Sequence, residues 1–218
     1  MAGYLQGIIT GAALVGMAVA LVAATRPQPK VLDVERINLR DADGTLRMVI
    51  AGRDAFPGSF FKGKEIARPD RRHAAGMLFL NDEGTENGGL IWAGRKQADG
   101  SVSAGASLTF DRYENDQTIQ LLQQDGGSRD IAALVISDRP AEPMFAMEGD
   151  KASLRDTAVG GAPRLFVGKS MDRASVVMLQ DQTGVPRLML RVNPDGASAI
   201  DFLDAKGKVI RSIGPDPQ

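Results

Sequence analysis

The first charged side chain in this protein is Arg26, and all 26 Lys/Arg and all 27 Asp/Glu residues of the 218-residue chain lie from there onward. Before it, Leu5–Thr25 (LQGIITGAALVGMAVALVAAT) is almost wholly apolar. As a helix this segment rises about 31 Å, the thickness of a bilayer's hydrocarbon core. Two solvents therefore divide the chain. The pattern predicts a transmembrane anchor over residues 1–25, a Pro-bracketed linker over 26–30 (RPQPK) and an extramembrane domain over 31–218.

A cleaved signal peptide is the competing reading. MAGYLQ lacks the basic n-region such a peptide needs, although Val22-Ala23-Ala24 has the small residues of a cleavage site. Tyr4 sits where an interfacial aromatic belongs, and Arg26, Lys30, Arg36 and Arg40 follow on the other side. That imbalance places the C-terminal domain in the cytoplasm; a signal anchor of opposite orientation places it in the periplasm. Gly3, Gly7 and Gly11 form one ridge of small residues on the helix, and Ala12, Gly16, Ala20 and Ala24 form a second. Such ridges let helix backbones approach closely in lipid, so the expected neighbour is another transmembrane subunit or a copy of the same helix. Gly and Ala are also frequent in membrane helices that pack against nothing.

The remainder, roughly 190 residues, suffices for one domain or two small lobes, with a seam near residues 137–163. The net charge is −1 and no basic tract points to nucleic acid. Cysteine is absent, which excludes a disulfide framework and thiolate chemistry. Twenty-five glycines and eleven prolines favour turns over long helices.

The recurring unit is a strand, a turn containing Asp and Gly, and a second strand. Val34–Arg40 leads through Asp41-Ala42-Asp43-Gly44 into Thr45–Ala51, where Leu46, Met48 and Ile50 alternate onto one face. Phe202-Leu203 leads likewise through Asp204-Ala205-Lys206-Gly207 into Val209–Ile213. Aligning Asp41 with Asp204 also aligns Leu46 with Val209 and Ile50 with Ile213. Looser copies lie at Asp181–Gly184 and Asn193–Gly196. Asp bonds nearby amides and Gly accepts positive φ, so the repeat is one of hairpins. Further strands are predicted over Gly76–Leu80, Gly89–Ala93, Ser103–Phe110, Gln117–Gln123, Ile131–Ser137, Leu165–Val167, Ser175–Leu179, Arg187–Val192 and Ala199–Leu203. Met147–Thr157 alone has room for a helical turn or two. The fold class is all-β: hairpins stacked into a sandwich, roll or short solenoid behind a single N-terminal helix.

The longest irregular stretch, Arg53–Ala75, carries Phe56, Phe60 and Phe61 followed by Lys62, Lys64, Arg68, Arg71, Arg72 and His73. With Arg26 and Lys30, these residues are candidates for contact with an anionic lipid surface or a partner. The alternative folds the phenylalanines back into the core and leaves the charges in water. The densest polar segment, Asn81–Gly89, offers Asp82, Glu83 and Glu86 as general acid, base or cation ligands, against the simpler reading of a solvated turn. Asp41 and Asp43 invite a calcium reading that Lys206 of the repeat mate argues against. His73 is the sole histidine, which excludes multi-histidine metal sites. Trp92 reads as core or interface. No P-loop, G-x-S-x-G, H-E-x-x-H or dinucleotide fingerprint occurs. No cofactor, metal or catalytic residue is assigned.

Gly76–Gly94 (GMLFLNDEGTENGGLIWAG), with Asp41–Gly52 before it and Ser107–Leu122 after it, resembles a bacterial family of uncharacterised proteins. The resemblance covers roughly Val34–Pro140. It implies a bacterial inner-membrane protein with one hydrophobic N-terminal segment and a β-hairpin domain, and it carries over no catalytic residue. The sequence is thus read as a non-enzymatic accessory or scaffold subunit of a bacterial membrane complex. The alternatives are a tethered binding module for a glycan, lipid headgroup or peptide, and a carboxylate-dependent hydrolase.

Overall fold

The structure is a computed structural model, and it describes residues 30–126, 130–149, 151–155 and 160–215. The predicted anchor, both small-residue ridges (Gly3, Gly7, Gly11; Ala12, Gly16, Ala20, Ala24) and Arg26 lie outside the described residues. Among the described residues, no helix is long and apolar enough to cross a membrane.

The compact unit Glu35–Gln218 is all-β. The strands are β1 (Arg36–Arg40), β2 (Leu46–Ala51), β3 (Ser59–Phe61), β4 (Lys64–Ile66), β5 (Ala75–Leu80), β6 (Glu86–Lys96), β7 (Val102–Asp111) and β8 (Gln117–Asp125). They continue as β9 (Ile131–Ser137), β10 (Phe145–Glu148), β11 (Lys151–Leu154), β12 (Pro163–Lys169), β13 (Ser175–Gln180), β14 (Pro186–Val192), β15 (Ser198–Leu203) and β16 (Val209–Ile213). Twelve of them form one antiparallel sheet in the order β1-β2-β5-β6-β7-β8-β9-β12-β13-β14-β15-β16. Every neighbour in that sheet is the next sheet strand along the chain. The hairpins therefore add edge to edge in one sheet. The sheet also runs unbroken across residues 137–163, because β9 pairs directly with β12.

One five-residue turn recurs. The fourth residue's N–H donates to the first residue's carbonyl, and the first residue's N–H donates to the fifth's, at 41–45, 81–85, 97–101, 112–116, 170–174, 181–185, 193–197 and 204–208. The fourth position is left-handed at Gly44, Gly84, Gly100, Gly184, Gly196, Gly207 and Arg173; at 112–116 the left-handed residue is the third, Glu114, at φ +53. At the turns led by Asn81, Asp181 and Asp204, the leading carboxyl or amide oxygen accepts the N–H groups of the third and fifth residues. Where Asp stands third (Asp43, Asp99, Asp195), it accepts the fifth residue's N–H. Several of these turns end in a bulge, as between Leu39 and Arg40, and the bulge turns Leu46 over. Leu46 joins the core face, whereas Met48 and Ile50 take the opposite one, which corrects the single face expected for the three residues.

Two excursions cover part of one face. Residues 52–74 hold two 3-10 turns, Arg53–Ala55 and Pro69–Arg71, and the β3–β4 hairpin, whose turn residues Lys62 and Gly63 both have positive φ. Residues 138–162 hold the β10–β11 hairpin. This hairpin replaces the helical turn expected near Met147–Thr157; Gly149, at φ +59, lies in the reversal. The main core forms where the first excursion lies on the sheet: Val49 and Leu78 are wholly buried with Ala51, Leu80 and Phe60, and Leu46, Ala55, Phe56 and Ile91 pack around them. Phe61 meets Phe145 of the second excursion, ring centroids 5.5 Å apart.

Candidate interaction surface

The residues singled out around the first excursion separate into two sets. Phe60 and Phe61 are 6% and 2% exposed, so they are core residues and offer nothing to a lipid or partner surface. The alternative weighed for them is the one the fold adopts: each contributes about 2–3 kcal/mol of apolar burial that seats the hairpin on the sheet. Lys30 and Arg72 are exposed. Lys62 reaches Glu114 at 3.3 Å and lies over the Phe61 ring. Arg68 is held by Asp70 at 2.8 Å. Arg71 forms a two-pronged bond to Glu86, at 2.7 and 2.9 Å, and also donates to the Gly58 carbonyl. Lys64 lies on β4, opposite Phe61 in the hairpin register.

Those pairs disperse the carboxylates of the Asn81–Gly89 segment. Asp82 is exposed and bonded to Arg47, Glu83 is exposed, and Glu86 is locked beneath Arg71. They converge on no common point. Sequence reading missed a different acidic cluster, because its members lie on three chain segments. Around a cavity of about 30 Å³ stand Glu86, Asp111 and Asp116, with Arg71 beside them. Asp116 meets Arg139 at 3.5 Å, and Arg139 also donates to the Gln117 carbonyl. Asn115 donates to the carbonyls of Pro140 and Glu142, pinning the second excursion. Asp111 has an enclosed Oδ1 without a hydrogen-bond partner. Burial, reinforced by Glu86 and Asp116, pushes its carboxyl up to about 7. Among the described residues, no group of three or more acidic, His or Cys side chains is arranged to hold a metal.

Beside the first excursion runs an open groove of about 700 Å³. Arg53, Arg68 and His73 stand along it, and Ser107, Thr109 and Gln120 form part of its floor.

The largest feature is on the other face. Strand register places Ile37, Ile50, Met77, Leu90, Leu108 and Leu121 side by side across the first six strands of the sheet. The same row continues through Leu134, Val167, Val177, Leu190, Ile200 and Ile213. Paired residues share a face, so one unbroken apolar row crosses all twelve strands. A second row, two residues along each strand, runs from Leu39, Met48 and Phe79 through Gly88 to Phe110 and Ile119. It goes on through Ile136, Leu165, Leu179, Leu188 and Phe202, and ends at Arg211. Only Gly88 and Arg211 interrupt it.

This band is open. Apart from Gly88, every residue in both rows is half-buried or exposed, Leu121 at 52% and Leu190 at 41%. Trp92, 44% exposed, lies in a third row of the same face between Ala75 and Ala106. At the C-terminal end the band widens into an open apolar groove of about 660 Å³ lined by Val177, Leu190, Val192, Ile200 and Ile213. Monomeric proteins rarely leave so continuous an apolar surface to water. The aligned repeat positions Ile50 and Ile213 both fall in its first row. No known protein family, curated protein or solved structure matches the chain.

Proposed function

We propose that this protein is a non-enzymatic accessory or scaffold subunit of a bacterial membrane complex, anchored through its apolar N-terminal segment and assembling through the open face of its sheet. The observation that carries this reading is the twelve-strand apolar band. An uncovered band of that width is costly in water and is accounted for by a partner that covers it. The small-residue ridges of the N-terminal segment favour helix packing in the same assembly, and its basic flank favours a cytoplasmic domain. Extraction from native membranes in mild detergent tests the reading. The expected result is co-migration with other subunits or copies, weakened by Gly7→Leu, Gly11→Leu and Gly16→Leu together. Migration as a lone monomer contradicts it.

The groove beside the first excursion favours a second reading, a membrane-tethered module for a polar ligand such as a glycan. Its Ser, Thr and Gln floor offers donors and acceptors, and its arginines are partly neutralised by neighbours. Binding of oligosaccharides by the detergent-solubilised chain, abolished by Gln120→Ala with Thr109→Val, would support the module. No binding would remove it.

A further inference from the structure

We infer that the apolar band is a self-association surface: two copies of this chain pack their sheets face to face with the bands aligned. This rests on the assembly reading above and names the first partner in it. At about 4.8 Å per strand the band is roughly 55 Å wide, and two rows make it about 14 Å high. That is on the order of 700 Å² of planar area per copy, close to the ~800 Å² per partner of a stable complex. Side-chain relief and the third row around Trp92 add to it. A single helix, roughly 10 Å across and 31 Å long for the N-terminal apolar segment, would cover less than half.

Shape selects the occupant further. A twelve-stranded antiparallel sheet accumulates a right-handed twist, and the surface that follows it along its whole width is another sheet of the same twist. Two such sheets stack at about −30°, strands nearly aligned, so that bands running across the strands lie along one another. An orthogonal stack would cross the bands and cover a small square of each. Chemistry agrees with a second copy. Both rows are neutral apart from Arg211 at one corner, so self-packing leaves no carboxylate or ammonium stranded in the middle of the interface. A two-fold axis through the middle of the sheet brings β8 and β9 of the two copies together, with Leu121 and Leu134 at the centre.

The chain has no cysteine, so a single introduced thiol reports one position. In the full-length protein in mild detergent, Leu121→Cys should give a covalent dimer with a short bismaleimide, whose reach matches the ~10 Å between stacked sheets. Gln120→Cys, on the opposite face, should not. Leu121→Lys with Leu190→Lys should halve the mass of the particle while the circular dichroism of the strands persists, since both side chains are well exposed in one copy. The cross-link should survive Gly7→Leu with Gly11→Leu, which excludes dimers held by the N-terminal segment. Failure of Leu121→Cys to cross-link, equal cross-linking at Gln120→Cys, or a dimer indifferent to the two lysines would overturn the inference. Release of different subunits by those lysines would overturn self-pairing and leave the scaffold reading standing. A wild-type monomer with no partner would overturn both.

Discussion

The two halves of the sheet are built from the same hairpin and held by different means. Strands β1 to β8 have a cover: the two excursions lie on one face, and Val49, Leu78 and Phe60 are sealed beneath it. Strands β12 to β16 have no layer on either face among the described residues. There the buried groups are few, and the largest fully enclosed side chain is a carboxyl. Asp201, 1% exposed, accepts bonds from Arg191 Nε at 3.0 Å and Ser212 Oγ at 2.6 Å, tying three adjacent strands by their side chains. In the C-terminal strands such cross-strand pairs stand where the first half has a covering layer, each contributing about 0.2–1 kcal/mol. The excursions cover part of one face of the first half and neither face of the second, so the apolar band is the surface both halves leave open.

A matched pair of truncations separates the two halves most clearly. Leu78→Ala should cost about 3–4 kcal/mol, because it leaves a cavity in a sealed core. In dispersed single copies Leu190→Ala should cost under about 1 kcal/mol, because there its side chain meets solvent. Urea titration of both variants decides it; equal losses would mean that the C-terminal strands hold a core of their own. Next comes Asp201→Ala, expected to cost about 2–3 kcal/mol by stripping Arg191 and Ser212 of their acceptor. A neutral result would return the hold on β14–β16 to the backbone alone.

Alternation of apolar residues and the Asp/Gly turns located all twelve strands of the main sheet, because both signals are local and each has one physical meaning. The turn at Asp204–Gly207 is fixed by bonds within five residues, and nothing distant alters it. What escaped was whatever depends on a partner elsewhere in the chain. The bulge that sends Leu46 to the core is set by pairing with Arg40, and alternation alone placed it with Met48 and Ile50. The β3–β4 hairpin hid inside a stretch whose charges suggested a surface, although its phenylalanines are what bury it. Glu86 read as a free carboxylate in a polar loop; its partner Arg71 lies fifteen residues earlier. The band itself was half legible. The strands that carry it were legible as ranges, but only the register shows that their apolar residues share a face and join into one surface.

Asp111 sharpens the account of the covered half. Its carboxyl titrates near 7 in the folded chain and near 3.8 unfolded. Between those values the unfolded state binds fewer protons than the native one, so stability falls as pH rises from about 4 to about 7 and is level above. Asp111→Asn should remove that slope and gain on the order of 2 kcal/mol at pH 8. Chemical denaturation across pH checks the sign; a slope unchanged in the variant would assign it to other groups. Turn variants have smaller effects than the core and carboxyl variants. Gly207→Ala, at φ +74 with open space around its Cβ, should cost about 1 kcal/mol through backbone strain alone. Gly84→Ala should cost more, because the added carbon would lie 2.9 Å from the Gly63 backbone. A reversed order in thermal unfolding would show that the first excursion is not seated on that turn.

The most direct measurement is hydroxyl-radical footprinting of Phe110, Leu121 and Leu190 in native membranes and after dispersal to single copies. The account predicts that all three are strongly protected in the membrane and react at rates matching their exposure once dispersed, while Tyr113, exposed in a turn off the band, reacts equally in both. Equal reactivity of the three in the two states would mean that the band faces water in the working protein, and the assembly role would fall with it.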